Sequence, residues 1–453
     1  MLIIKCNKNL SVEKLYILNI IFSEWYSTAY RVDFVDDHSV FTITLPNSSV
    51  LTLSSVFWDL NIVDYLTKDV LPESTLLANN NFICEPDIPI LYGDAQMSIS
   101  ERKISCGIDV FATCFFMLSR IEEAITKVRD NHDRFPATAS VAYQNGFLER
   151  PIVDEYVEML WNMLIYLDSS LVRKSHQTKT FVTCDVDWPF DPIRYSFKRT
   201  FISSAADLIK RRSPKLMLAT CKRYMYRLLS IKQVDNYRDS LDWMMDVNED
   251  AGNKVAFYFI PLNTSTLDSE FSFDSKKMRV LFRQIAERGH EIGIHPGYEC
   301  FNNPELFKQS ADVLKRVLRE ENICQPNIGG RMHYLRWDVL TTPHLWESNG
   351  FDYDSTLSFA DKSGFRCGTS REFTMFDLVN RKPLKLKQRP LINMECTILD
   401  DRYEALGYSD VALSRFRCFK DYSKKYNGIY TLLWHNSYIN NADDRKFYRE
   451  LII

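Results

Sequence analysis

Phe181-Val182-Thr183-Cys184-Asp185-Val186-Asp187-Trp188 opens with strand formers and ends on two carboxylates. At spacing i, i+2 on a strand, the side chains of Asp185 and Asp187 point to one face. Two like charges held close call for a cation, a shared proton or solvent. One reading is a metal site with a neighbouring base. The other is a solvated strand end or a structural aspartate cap, which so short a pattern leaves open.

Downstream, strand and helix patterns alternate. A basic, helix-like insertion (Lys198 to Lys232) follows the first strand, and then comes a helix over 237–250. The strand Lys254–Ile260 and a helix over 275–288 follow, with Gly289 as the expected C-terminal cap. Glu291–Ile294 reads as a strand ending at His295-Pro296, and helices are expected over 304–321, 338–349 and 409–426. Phe351–Ser355 and Gly428–His435 read as further strands. The alternation predicts an α/β fold with a mostly parallel sheet, open or closed as a barrel.

Upstream, residues 1–100 carry short strand-like runs such as Val40–Leu45 and a helical stretch from Val12 to Trp25. An amphipathic helix is expected over 108–127, with Phe111–Leu118 buried. Arg129–Pro136 reads as a loop, and Val153–Leu167 as a helix leading to the first strand of the alternating region. No internal repeat or low-complexity linker separates these parts.

Chemically capable residues recur where the predicted strands end: Asp185, Asp187, His295, Arg331, His333, Asp354 and His435. In α/β barrels the carboxyl ends of the strands build the active site. Any one of these histidines alone fits a structural role. Three of the chain's eight histidines at strand ends point to an enzyme.

The 453 residues exceed one ordinary domain, and the apolar and charged fractions are those of a globular protein. The formal charge of −3, with no long basic run, argues against nucleic acid or an anionic membrane surface as the main partner. Eleven scattered cysteines without a C-x-x-C pair fit reduced thiols in the cytoplasm. Met1-Leu2-Ile3-Ile4-Lys5 begins like a strand rather than a signal peptide. No segment approaches the ~20 apolar residues a membrane helix needs, so membrane insertion is not expected.

Gly289-His290-Glu291-Ile292-Gly293-Ile294-His295 resembles the second motif of the polysaccharide deacetylases, the NodB-homology or carbohydrate esterase family 4 group. The resemblance runs over roughly residues 178–453, with its anchors in order. The Asp185–Asp187 segment is similar to the first motif, in which the first Asp is the general base and a later Asp binds the metal. His295 falls on a metal-binding histidine. Arg331-Met332-His333-Tyr334 resembles the third motif, whose Arg orients the catalytic Asp. Asp354-Ser355-Thr356 resembles the groove-wall fourth motif, and Leu432-Leu433-Trp434-His435 the fifth, whose His is the general acid. The whole chain looks like a bacterial subgroup with an extra N-terminal domain, associated with surface-polysaccharide biosynthesis. Phe116–Glu123, Arg331–Trp337 and Gly364–Thr369 fit that subgroup.

The resemblance implies a distorted (β/α) barrel over 178–453, an N-terminal α/β accessory domain over 1–125, and a connecting helix and loop over 126–177. It departs from the family at one place. The position four residues after His295 holds Glu299 where the family has a second histidine. Glutamate binds zinc and harder divalent ions, so an Asp187–His295–Glu299 site is one reading. A solvent-facing Glu299 after the Pro-Gly turn is the other. His333 is a further candidate ligand or substrate contact. His290, five residues from His295 across a strand, is expected to be structural.

By this resemblance the chain is a metal-dependent hydrolase, with Zn2+ the first-choice ion, removing an N-acyl group from an amino sugar or nucleotide-linked sugar. Asp185 and His435 are its base and acid, and Arg331 positions Asp185. Tyr334 or a nearby backbone N–H is a candidate oxyanion donor. Trp188 and Trp434 either stack on a sugar ring or belong to the core. Arg366 and Arg371, flanking Gly368, either bind an anionic group or hold a structural loop. Rival readings are a carbohydrate-binding protein on an altered deacetylase fold, or another amide or acyl-transfer enzyme acting on a sugar. Homo-oligomerisation is left open.

Overall fold

Alternating side chains build the N-terminal sheet. Leu2, Ile4 and Cys6 are buried in the strand Leu2–Cys6, Phe41 and Ile43 in Val40–Thr44, and Leu51 and Leu53 in Val50–Ser54. With a period of two, each set lines one face of its strand. Six strands neighbour one another in the order Tyr30–Phe34, Leu2–Cys6, Val40–Thr44, Val50–Ser54, Lys103–Ile108, Gly93–Ser100. Pairing is mixed: Leu2–Cys6 runs parallel to Tyr30–Phe34, and Val50–Ser54 parallel to Lys103–Ile108. The other pairs are antiparallel. This computed structural model describes all residues except 37–38, 60–64, 73, 193–196, 210–212 and 230–234.

The helix Val110–Ser119 is buried along its whole length. Its Phe111 ring lies 4.7 Å from Phe41 and its Phe115 ring 5.7 Å from Trp58. Each such fully buried aromatic contributes roughly 1.5–3 kcal/mol. Asp109 caps the helix, accepting from the Ala112 N–H, the Phe57 N–H and the Trp58 indole N–H at 3.0, 3.2 and 3.2 Å. The single amphipathic helix expected over 108–127 is instead two buried helices, Val110–Ser119 and Ile121–Ile125. The break is Arg120, in the left-handed conformation with φ 55°. Its guanidinium turns inward and bonds Glu122 at 2.5 Å and Glu123 at 2.8 Å. The helix expected from Val12 to Trp25 also changes character, running as α-helix over Ser11–Leu18 and as a π-helix over Asn19–Trp25.

The chain divides into two compact units. One comprises 1–181, 298–309 and 326–432, and the other 182–297, 310–325 and 433–453. The first crossing falls at 181/182. The segments 298–309 and 326–432, however, group with the N-terminal residues rather than with the remainder of the alternating region. Side chains account for much of this grouping. Glu123 binds Arg366, Asp154 accepts from Thr369, Glu13 pairs with Arg381, and Glu24 pairs with Lys387.

In the unit beginning at 182, the strand Val255–Phe259 pairs in parallel with both Val182–Val186 and Glu291–Ile294. The helix Lys276–Glu287 buries Met278, Leu281, Phe282 and Ile285, one stripe at helical spacing. Its Phe282 ring sits 5.0 Å from Phe259 and 4.9 Å from Phe273. Gly289 takes φ +70° at the end of this helix, the expected left-handed cap. Helices Phe197–Ile209 and Pro214–Leu228 occupy the expected insertion, whose stretches 210–212 and 230–232 lie outside the described residues.

In the other unit, Gly329–Gly330 runs parallel to Tyr353–Asp354, and that strand parallel to Lys382–Gln388. Lys382–Gln388 forms an antiparallel hairpin with Phe373–Asp377 that the sequence pattern did not announce. Gly329 is required by packing: a Cβ there would meet the Tyr353 ring at 2.3 Å. The chain is thus α/β, with strand–helix alternation and parallel pairing where they were expected.

Candidate active site

Three parallel strands end level with one another in the unit beginning at 182. Asp185 pairs with Tyr258, Val186 with Phe259, and Phe259 with Ile294. The next residues along the chain are Asp187 after the first strand and His295 after the third. The His295 N–H donates to the Phe259 carbonyl at 2.7 Å, which fixes where the imidazole emerges. The Trp434 N–H donates to the Thr183 carbonyl at 3.1 Å and brings His435 to the same carboxyl end. Ligands of α/β sheets bind outside the carboxyl ends of the strands.

The side chains converge there. His295 Nε2 lies 3.5 Å from Asp187 Oδ1 and 3.8 Å from Asp185 Oδ2. His435 Nε2 lies 4.0 Å from Asp187 Oδ2. The Asp185 and His295 side chains are almost fully buried, at 3 % and 2 % exposure, whereas Asp187 is 25 % exposed. Asp185 and His295 are thus enclosed, and Asp187 is the more exposed of the two carboxylates. Asn436 holds the turn after His435, donating from Nδ2 to the Trp188 and Tyr237 carbonyls at 2.9 and 3.1 Å. Asn436 was not singled out in the sequence, and only its place next to His435 hinted at a role.

The donor set suits a divalent cation. Asp187 and His295 each offer one ligand atom in a candidate metal-binding group. Metal bonds of about 2.0–2.1 Å in tetrahedral geometry set ligand atoms about 3.4 Å apart, and Asp187 and His295 stand 3.5 Å apart. One imidazole between two carboxylates also gives the cation the negative environment it requires.

His290 is structural, as expected. Its Nδ1 accepts from the Val255 N–H at 2.9 Å and its Nε2 sits 3.0 Å from Glu249 Oε1. Burial pushes its pKa down to about 4, with the neighbouring Glu249 opposing the shift. Trp434 is a core residue, its indole N–H donating to the Tyr438 carbonyl at 3.2 Å. Trp188 is half-buried, with the Arg199 guanidinium 4.4 Å above its ring.

The remaining sequence candidates belong to the other unit. Arg331 is fully buried and donates to the Ser355 carbonyl at 2.8 Å and to its hydroxyl at 3.0 Å. Asp354 is buried and accepts from the Thr356 N–H at 2.8 Å and from its hydroxyl. Burial raises its pKa to about 7, against the opposing pull of Thr356, Gln388 and Arg331. His333 is buried, and Tyr334 next to it holds φ 61°. The Tyr334 ring packs against His132 at 4.8 Å and Tyr298 at 5.3 Å. No spacing in the sequence linked His132, in the Arg129–Pro136 loop, to this cluster. Glu299 is 49 % exposed, its carboxylate 3.3 Å from Arg336.

Arg366 takes the structural side of its two readings. It bonds Glu123 at 2.9 and 2.6 Å and the Ser358 carbonyl at 2.7 Å, and is buried. Burial alone would raise the Glu123 pKa, but Arg366 and Arg120 outweigh it and hold it at about 2. Arg371 is likewise paired, with Glu158 at 3.0 Å and Asp154 at 3.3 Å. Gly368, at φ +65°, lets its carbonyl accept from the Val153 N–H at 2.8 Å.

Residues 2–168 match a family of unknown function, DUF7033. No curated protein matches the chain. Among solved structures, the chain is similar to a putative polysaccharide deacetylase from Mycobacterium smegmatis, at 15 % identity and a TM-score of 0.40, over 62 % of this chain and 84 % of that one. A probable polysaccharide deacetylase from Pseudomonas aeruginosa PAO1 gives 14 % identity and a TM-score of 0.37, over 61 % and 84 %. A PuuE allantoinase gives 13 % and 0.35, over 61 % and 83 %. At such scores the likeness is loose, and no residue role follows from it.

Proposed function

We propose that this protein is a metal-dependent hydrolase that removes an N-acyl group, most simply acetyl, from an amino sugar or a nucleotide-linked sugar used for bacterial surface polysaccharide, acting in the cytoplasm. The observation that carries the proposal is the convergence of Asp185, Asp187, His295 and His435 at the carboxyl ends of parallel strands. A binding protein needs neither the base nor the acid. The ordered motif resemblance supplies the substrate class. The same resemblance assigns the chain from 178 onward to a distorted (β/α) barrel, with residues 1–125 as its accessory domain.

Asp187 and His295 are the proposed metal ligands, with Glu299, His333 or water completing the set. Zinc is the first-choice ion for an imidazole–carboxylate set, and each added carboxylate favours harder ions. Such an ion, when bound, polarises the amide carbonyl and lowers the pKa of water. Asp185, buried beside His295, takes the proton from the attacking water. His435 gives a proton to the departing nitrogen, because an amine does not leave as an anion. Arg331 is the proposed positioning residue for Asp185, and Tyr334 with His333 the proposed substrate contacts. Trp188 and Asp354 are assigned to the walls of the sugar site.

The test is acetate release from N-acetylated amino sugars, free and nucleotide-linked, by the metal-loaded protein. Release that is lost in Asp185→Asn supports the proposal. Carbohydrate binding without release from any of these substrates contradicts it.

A further inference from the structure

The two helices Phe197–Ile209 and Pro214–Leu228 pack inside out. Their contacts with each other are polar: Asp207 and Thr220 are buried against one another, and the buried Thr200 lies on the same face of its helix as Ser204 and Asp207. The Thr220 hydroxyl donates to Asp207 Oδ2 at 2.8 Å, and Ser204 Oγ meets Cys221 Sγ at 3.3 Å. The outer surface carries the large apolar side chains. Phe201, Ile202 and Leu208 on the first helix, and Leu218, Met225 and Leu228 on the second, are 47–67 % exposed. Leu218 and Met225 stand a heptad apart and Leu228 three residues further, so they share one face. Singly exposed apolar residues are ordinary, but several that share one face of a helix mark an interaction surface.

Charge selects the partner. Residues 197–232 contain ten Lys and Arg against a single Asp, in a chain whose overall formal charge is −3. That one aspartate, Asp207, is buried against Thr220 and offsets nothing at the surface. Lys198, Lys215 and Lys222 are exposed beside the apolar residues. A second copy of the same hairpin would set cation against cation. An apolar helical face flanked by lysines instead matches the interface of an anionic bilayer. The net charge of the whole chain, read from sequence as evidence against such a surface, averages this local excess away.

We propose that this helical hairpin docks the protein on an anionic phospholipid surface, its apolar face entering the headgroup region and its lysines meeting lipid phosphates. The proposal concerns surface binding, not a membrane span, and is independent of the hydrolase reading.

The experiment is vesicle flotation of the full chain with phosphatidylcholine vesicles, with and without phosphatidylglycerol, at low and high salt. Wild type floats with the anionic vesicles at low salt and is released at high salt. Leu218→Glu/Met225→Glu and, separately, Lys215→Glu/Lys222→Glu lose binding by at least about tenfold, because each basic residue near the surface changes affinity several-fold. All these positions are exposed, so circular dichroism and melting temperature stay as in wild type. No flotation, equal flotation with neutral vesicles, or variants that bind like wild type would overturn the proposal. So would a concentration-dependent dimer that Leu218→Glu/Met225→Glu dissociates, with no vesicle binding, since a second copy would then be the occupant.

Discussion

His295 Nε2 stands 3.5 Å from one oxygen of Asp187 and 3.8 Å from one of Asp185, so a single imidazole is shared between two carboxylates of different exposure. The difference in exposure fits the proposed roles, with Asp187, the more exposed, as the proposed metal ligand and the almost fully buried Asp185 as the proposed base. Asp185→Asn is expected to lower kcat for deacetylation by about 10²–10⁴-fold while leaving metal content unchanged. Turnover and elemental analysis on the same preparation check this, and loss of metal along with activity would move Asp185 into the ligand set.

His435 approaches the same group from the next strand end, 4.0 Å from Asp187. If it protonates the leaving nitrogen, its importance depends on the leaving group. His435→Asn is expected to lose at least about 10²-fold on an acetamido sugar and far less on an aryl acetate, whose leaving group departs as an anion. Equal losses on both substrates would assign His435 to orientation or metal binding instead.

Arg366 and Glu123 form a buried pair 2.6 Å apart, shared with Arg120. Removing one partner leaves a buried charge short of compensation. Arg366→Met is expected to cost about 3–5 kcal/mol in chemical denaturation. A variant of wild-type stability with a raised KM would return Arg366 to the substrate site.

Three buried carboxyls set an unusual pH dependence. Burial raises Asp109 to about 7, Asp154 to about 6 and Asp354 to about 7. Their folded pKa values lie above the ordinary aspartate value of about 3.9, so the fold favours their protonated forms. The stability they contribute is fully present below about pH 4 and is lost as pH rises through 6 to 7. Glu123 acts oppositely, its contribution being lost only as pH falls toward 2. Denaturation midpoints across pH 4 to 8 should therefore fall with rising pH, and Asp109→Asn should flatten the trend. An unchanged slope in that variant would exclude Asp109 as a source.

Much of this was legible where local signals and packing agree. The strand before Asp185, the helix with its Met278–Ile285 stripe, and the Gly289 cap each carry period and terminator in one stretch of chain. The helix break at Arg120 was hidden, because it rests on a left-handed arginine bonded to two neighbouring glutamates rather than on Gly or Pro. The grouping of 326–432 with the N-terminal residues rests on pairs such as Glu123–Arg366 and Glu13–Arg381, which no local pattern encodes. The carboxylates and histidines of the site were visible as motif residues at strand ends. Their convergence depends on strand register, and Asn436 and His132 emerged only with the packing.

Asp187 and His295 are the proposed ligands of a divalent cation that serves amide hydrolysis. Elemental mass spectrometry of protein purified without added metal or chelator, beside His295→Ala and Asp187→Ala, tests this most directly. About one equivalent of a divalent ion is expected in wild type, and its loss in both folded variants. Full metal occupancy in either variant, or none in wild type after reconstitution, would contradict it.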